Sequence, residues 1–344
     1  MLRASILLCV LGGLLLGPIP TPVSAQSVAA TYTKVTRSVV VVRAAGRDVS
    51  AVTPGLAEHQ DVGSGVLVSA AGHIMTAAHL VNAKEEITVE VLGKPAVPAR
   101  LIASEPSADL ALLKLDQLPG GLTPARLANS DGVKIGEQVM IIGAPYGFSH
   151  SLSVGWISAR RAPNTVHRAM PLAEFFQTDA GINAGNSGGP VFNMGGEVIG
   201  IVSHNISQSG GSEGVGFVVT INTARMLLQG RRSFWSGLEG EIISGDLVSM
   251  LNVPQPTAYL VKTVGKGSPG AALGLQGARK VVTIDRRELA VGGDVILSVE
   301  DIPLGKAEDH ERLRKLLEAK PAGAPYSMRV LRAGRILDLV GRLP

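Results

Sequence analysis

From Ser38 to about Val219 the chain consists of short runs of Val, Ile and Thr, broken by Gly, Pro, Asn or Asp at intervals of about ten residues. This rhythm restricts the fold more than any other feature. Strands of that length and spacing pair through tight turns, which favours an all-β barrel or sandwich. Candidate strands are Ser38–Val42, Gly65–Ser69, Ile87–Val91, Leu110–Leu115, Gln138–Gly143, Leu152–Ser158, Glu197–Ser203 and Val215–Thr220. A turn-rich gap at Pro119–Pro124 divides the region into halves of comparable size, as two packed six-stranded barrels require. Composition agrees, because aromatics are only 3% of the chain and glycine reaches 42 residues. The core must therefore rest on Val, Ile, Leu and Ala between many turns.

Ile221–Leu228 reads as a short helix closing this first domain (26–230), with Asn222 or Thr223 placed to cap it and Gly230 to end it. Residues 231–239 form a polar link containing Phe234 and Trp235. From 240 to 344 the pattern changes to strand-like Tyr259–Val264, a short helix headed by Ser268-Pro269-Gly270, Asp294–Val299, a helix over Glu308–Ala319, and paired strands Tyr326–Leu331 and Ile336–Val340. That succession predicts an α+β module.

The first 25 residues follow the logic of a secretory signal: Arg3, an apolar run from Ile6 to Leu16, then Val23-Ser24-Ala25 before cleavage. The run is shorter than the roughly 20 residues a bilayer needs, so no stable membrane anchor is expected. A periplasmic or secreted location follows. Cys9 is the only cysteine and lies in this segment, so the mature chain has no thiol for disulfides or nucleophilic chemistry. Basic residues occur only as short pairs such as Arg160-Arg161, which gives no nucleic-acid footprint. Neither a metal site nor a cofactor is expected, since His73 and His79 do not form a recognisable metal pair.

Chemistry concentrates at three places. Gly185-Asn186-Ser187-Gly188-Gly189-Pro190 can present a serine nucleophile on a glycine-rich turn, with the Gly185 and Ser187 amides converging as an oxyanion hole. His79 follows an apolar strand that ends in small residues, which leaves room for an imidazole base. Asp109 stands at the entrance of the apolar run Leu110–Leu113, where a carboxylate is costly unless it is paired, and an imidazole N–H is the natural partner. Gly185–Gly189 also satisfies the G-x-S-x-G elbow of α/β-hydrolases, but that fold places acid and base after the serine. Here the order is His79, Asp109, Ser187, that of chymotrypsin-like enzymes.

The segments Thr76-Ala77-Ala78-His79-Leu80-Val81, Ala108–Lys114 and Gln177–Pro190 resemble the HtrA/Deg family of trypsin-like serine endoproteases, and the resemblance covers nearly the whole mature chain. It implies a mainly β protein: a chymotrypsin-like double six-stranded β-barrel followed by one α+β PDZ domain. Ser187 would be the nucleophile, His79 the general base and then acid, and Asp109 the orienting carboxylate. The specificity pocket would draw on Ile201, Val202, Ser203, His204 and Asn205, where His204 departs from the small or apolar residue expected. Gly240, Glu241, Ile242 and Ile243 would lie near the loop that binds a peptide carboxylate. Leu313, Leu316 and Leu317 could wall that groove, although core packing explains them more plainly. Implied partners are unfolded polypeptide substrates, C-terminal peptides at the PDZ domain, and two further copies in a homotrimer, with Tyr32 as the contact aromatic. Two departures accompany these: Ala45–Asp61 is too short for a long regulatory insertion, and Gly277–Gly293 reads as an extended loop. The alternative function is a peptide-binding or chaperone protein with latent protease activity.

Overall fold

Four consecutive valines, Val39–Val42, are each at most 2% exposed, so this strand is buried on both faces. Successive side chains point to opposite sides, and Val40 and Val42 enter one apolar core while Val39 joins another. That division organises the first two thirds of the molecule. The computed structural model describes residues 27–49, 56–166, 170–230, 236–284, 287–305 and 307–343. The expected signal segment with Cys9, and Phe234 and Trp235 of the expected link, lie outside them.

Helix α1 (Val28–Val35) precedes β1 (Val39–Val49), β2 (Leu56–Leu67), β3 (His73–Thr76), the short helix α2 (Ala78–Val81), β4 (Glu86–Val91), β5 (Val97–Glu105) and β6 (Leu110–Leu115). These six strands close into a barrel in the order β1-β2-β3-β6-β5-β4. Its interior holds Val40, Val42, Leu67, Ile74, Val89 and Leu113. Next come β7 (Arg126–Leu127), β8 (Gln138–Gly143), β9 (Ser151–Arg161), β10 (Phe175–Thr178), β11 (Pro190–Asn193), β12 (Glu197–Asn205) and β13 (Gly216–Thr220). The sheet β11-β8-β9-β10-β13-β12 closes through β11–β12 pairing, giving a second six-stranded barrel with β7 added beside β12. Alternate residues of β8 divide between two cores. Val139 and Ile141 fill this barrel, whereas Met140 and Ile142 join the layer that contains Val39, Met75, Leu110 and Phe192 from both barrels.

Helix α3 (Ile221–Leu228) packs Ile221, Ala224, Leu227 and Leu228 into that shared layer. Its capping differs from expectation. Thr220 is the N-cap residue and makes no side-chain cap; its hydroxyl meets that of Thr223 at 2.8 Å. Asn222 instead donates to Asn129 Oδ1 at 2.7 Å, tying the helix to the start of the second barrel.

The remaining elements are β14 (Leu238–Ser244), α4 (Asp246–Met250), β15 (Thr257–Val264), α5 (Pro269–Ala272), β16 (Lys280–Ile284), β17 (Arg287–Val291), β18 (Val295–Val299), β19 (Ile302–Pro303), α6 (Ala307–Ala319), β20 (Pro325–Arg332) and β21 (Arg335–Arg342). A sheet β14-β15-β18-β20-β21 forms the α+β module. Its first strand starts at Leu238, inside the expected link. The helix headed by Ser268-Pro269-Gly270 is present as α5, and Ser268 caps it, accepting from the Ala271 amide at 3.1 Å. Gly277–Gly293 is not one extended loop, because β16 and β17 pair antiparallel within it. Most of Ala45–Asp61 likewise belongs to the long β1–β2 hairpin.

The module rests on the first barrel. Asn82 Nδ2 donates to the Leu238 carbonyl at 2.8 Å, and Arg314 on α6 pairs with Glu105. A cavity of about 520 Å³ lies along this seam, lined on the module side by Leu238, Tyr259, Leu313 and Leu317 and on the barrel side by Glu105 and Leu172. Thus Leu313 and Leu317 face this space, and Leu316 is half-buried.

Candidate active site

The barrels meet along a seam to which each contributes loops. His79 lies in α2, directly after β3, and Asp109 directly precedes β6; β3 and β6 are adjacent, which brings the two residues together. His79 Nδ1 lies 2.9 Å from Asp109 Oδ1 and 3.0 Å from Oδ2, and the His79 backbone N–H donates to Oδ1 at 3.0 Å. Asp109 is 3% exposed and adopts a left-handed backbone conformation with φ +53°. Aspartate tolerates that region better than most residues.

Electrostatics couple the pair. About half of the His79 side chain surface meets solvent (49%), yet burial is the largest influence on its titration and lowers it. The hydrogen bond and charge of Asp109, joined by the Asp61 charge, raise the imidazole above its ordinary value against that influence and the Lys84 charge. For Asp109, burial raises the pKa, but the His79 and Ser203 hydrogen bonds together with the His79 charge hold it below the usual carboxylate value.

Ser187 lies between β10 and β11 of the second barrel. Its hydroxyl donates to the Ser203 carbonyl at 3.2 Å, and no hydrogen bond joins it to His79. Around it, the Asn186, Gly188 and Gly189 amides are all engaged by backbone carbonyls, whereas those of Gly185 and Ser187 have no acceptor among the described residues. Gly185 and Gly188 have φ +100° and +79°. A Cβ on Gly185 would lie 2.1 Å from the Ala144 carbonyl oxygen, and one on Gly188 2.2 Å from Thr76 Oγ1. The glycines therefore admit the neighbouring chain itself, a requirement beyond leaving room for a substrate.

Ser64, which is not among the expected site residues, braces this loop. Fully buried, it donates through Oγ to the Gly185 carbonyl at 2.7 Å, accepts from the Ala144 amide at 2.9 Å, and donates through its own amide to the Ser187 carbonyl at 2.9 Å. The available signal was Gly63-Ser64-Gly65, two glycines inside a strand, which marks close backbone approach.

The segment Ile201–Asn205 forms the end of β12 beside Ser187. Ile201 and Val202 are fully buried in separate cores and offer no side-chain surface. Ser203 turns its hydroxyl to Asp109 Oδ2, His204 stacks on Phe217, and Asn205 donates to the Ile182 and Gly211 carbonyls. In the module, Gly240, Glu241, Ile242 and Ile243 lie in β14 at the sheet's edge. Ile243 is fully buried and Ile242 is 39% exposed. Tyr32 donates its hydroxyl to the His150 carbonyl at 2.8 Å.

Residues 63–201 match the trypsin-like peptidase domain family. The chain is 35% identical over 298 residues to a probable periplasmic serine endoprotease DegP-like from Pseudomonas putida, covering 83% of this chain and 57% of that relative. It is also 35% identical over 303 residues to a DegP-like protein from Hahella chejuensis, covering 84% and 59% respectively. The chain therefore spans less than two thirds of the length of these relatives. Among solved structures, an HtrA-type protease AlgW with decapeptide aligns over 92% of this chain and 98% of its own, with 26% identity and a TM-score of 0.54. AlgW with tripeptide gives 27% identity and a TM-score of 0.52.

Proposed function

This chain belongs to the HtrA family of trypsin-like serine proteases, and from that premise we propose that it is a serine endopeptidase of the periplasm, acting on unfolded or damaged envelope proteins. The observation that carries the proposal is the buried Asp109 carboxylate bonded to both the ring and the backbone N–H of His79. A carboxylate on Nδ1 fixes the proton there and leaves Nε2 with a lone pair for a hydroxyl proton.

In this reading the Ser187 hydroxyl exchanges the Ser203 carbonyl for His79 Nε2 and then attacks the peptide carbonyl. His79 takes the proton, and Asp109 stabilises the resulting imidazolium. The Gly185 and Ser187 amides receive the developing oxyanion, a task for which unengaged donors are required. His79 next protonates the leaving amine, and water releases the acyl group by the same steps in reverse. Mature chain should cleave unfolded casein, and Ser187→Ala should abolish cleavage; equal activity in that variant removes the proposal.

The C-terminal module we assign as PDZ-like. Its β14 edge has no strand partner on its outer side among the described residues, which suits an extended peptide added as a further strand. Peptides with a free C-terminus should bind in fluorescence titrations, and C-terminally amidated versions should bind more weakly. Assembly as a homotrimer belongs to the same family-based proposal and is tested by sedimentation. The Ser187–Ser203 bond favours one second reading, a peptide binder with a latent site. Fluorophosphonate labelling separates the two, because a latent site stays unlabelled even with peptide bound.

A further inference from the structure

Strand β12 carries one residue more than its pairing with β13 can use. Val202 stands opposite Val218 and His204 opposite Phe217, so Ser203 is the extra residue of a β-bulge. In a regular strand the side chains of residues 203 and 204 would point to opposite faces. The bulge brings them together instead, and His204 Nδ1 lies 3.1 Å from Ser203 Oγ. The ring is held by two phenylalanines, stacked on Phe217 with centroids 5.1 Å apart and edge-on to Phe175 at 5.7 Å.

Counting hydrogens fixes the direction of this chain. A serine hydroxyl has one proton, and an ionised carboxylate only accepts. Asp109 already accepts from the His79 ring and backbone, so the Ser203 proton goes to Asp109 Oδ2. The Ser203 oxygen must then accept from His204, which places a proton on His204 Nδ1.

We propose that His204 is a positioning residue for the Asp109–His79 pair, acting through the relay His204 Nδ1–H to Ser203 Oγ–H to Asp109 Oδ2. A donor on Ser203 polarises its O–H and holds it on the carboxylate, which strengthens the second bond and fixes the carboxylate plane for His79. The titratable members of the relay are His204 and Asp109, and it ends on titratable His79; among the described residues β10 and β13 meet the His204 ring with Phe175 and Phe217.

The inference rests on the protease reading, and its test separates the two. His204→Phe preserves the aromatic packing but removes the donor, while His204→Asn keeps an N–H where Nδ1 stood. With unfolded casein, His204→Phe in the full chain should lower kcat by about three- to tenfold, the scale of one hydrogen bond, with KM unchanged. The acid limb of its pH profile should move upward, because a carboxylate with one weakened donor pulls harder on the His79 proton. His204→Asn should restore most of the rate, and on a Ser203→Ala background His204→Phe should cost nothing further. Wild-type kcat and pH profile in His204→Phe, or an undiminished loss on the Ser203→Ala background, overturns the relay. Nitrogen NMR of the wild-type His204 ring provides a readout independent of any variant's folding: a proton on Nε2 alone also overturns it. Absence of Ser187-dependent cleavage in the wild type would instead remove the protease reading.

Discussion

At the scale of single residues, the His79–Asp109 pair sets the pH range in which the site can work. In the proposed mechanism His79 must be neutral to accept the Ser187 proton; burial lowers its pKa, but the Asp109 hydrogen bond and charge, with a smaller contribution from the Asp61 charge, raise it above 6.5. Activity should therefore rise with pH through a midpoint above 6.5, and NMR titration of His79 in Ser187→Ala measures that midpoint directly. A value at or below 6.5 would contradict the coupling. Adding Asp109→Asn leaves burial as the main influence, which should bring the midpoint below 6.5; in the active chain the same change should reduce turnover on the order of 10⁴-fold. Stability follows the same shifts with opposite signs. The His79 contribution is present below its unfolded pKa and fades as pH rises through the raised folded value, whereas the Asp109 contribution is present above its unfolded pKa and fades as pH falls through the lowered one. Ser64→Ala would leave the Ala144 amide and the Gly185 carbonyl unpaired in the interior, so urea denaturation should show a loss of about 1–3 kcal/mol. The meeting of His79 with Asp109 was legible in sequence, because the proposed chemistry demands particular residue types in a particular order. Ser64 was not, since its importance arises from a loop 121 residues away that only the packed barrels bring to it.

At the scale of elements, the Ser187 loop depends on glycines for a reason that can be separated from backbone conformation alone. Gly93 and Gly188 have similar positive φ, +70° and +79°, but a Cβ on Gly93 meets nothing within 4 Å. Gly93→Ala should cost only the left-handed penalty of about 1–2 kcal/mol. Gly188→Ala must also push against Thr76 Oγ1 at 2.2 Å and the Ser64 carbonyl at 2.4 Å, and should lose clearly more stability in the same denaturation series. Equal losses would show that the loop yields. The barrel strands were legible where their apolar period was unbroken, as in Leu110–Leu115 and Gln138–Gly143. Strand β5 escaped notice because it opens on Val97-Pro98 and contains a bulge between Leu101 and Ala103, which breaks alternation. Helix α1 is rich in Thr and Val, weak helix formers, and its Thr31 hydroxyl is anchored on the Met194 carbonyl; tertiary contact there overrides local preference.

At the scale of the whole molecule, the C-terminal module touches the barrels next to the proposed active site. Asn82, bonded to the Leu238 carbonyl, follows His79 by one short turn, and Glu105, paired with Arg314, ends the strand that leads through Pro106–Ala108 to Asp109. Arg314 and Glu105 are only 12% and 14% exposed, so removing Arg314 strands a poorly solvated Glu105 carboxylate, unlike the loss of a surface pair; Arg314 itself also pairs with Glu318 at 3.1 Å. Helix α6 carries Arg314 beside Leu313 and Leu317, which line the cavity at the seam. A peptide that displaces this helix must therefore disturb the Glu105 contact and the approach to Asp109. Such coupling is reciprocal: whatever factor a groove peptide imposes on binding at Ser187, occupancy of Ser187 imposes on the peptide. A reversible peptide boronate at Ser187 should accordingly change the affinity of a C-terminal peptide in the wild-type chain, and Arg314→Ala should largely abolish that change. Arg312→Ala, on an exposed position of the same helix, should preserve it. If Arg314→Ala retains the full coupling, communication between module and barrels does not pass through this ion pair, and the Asn82–Leu238 contact becomes the route to test.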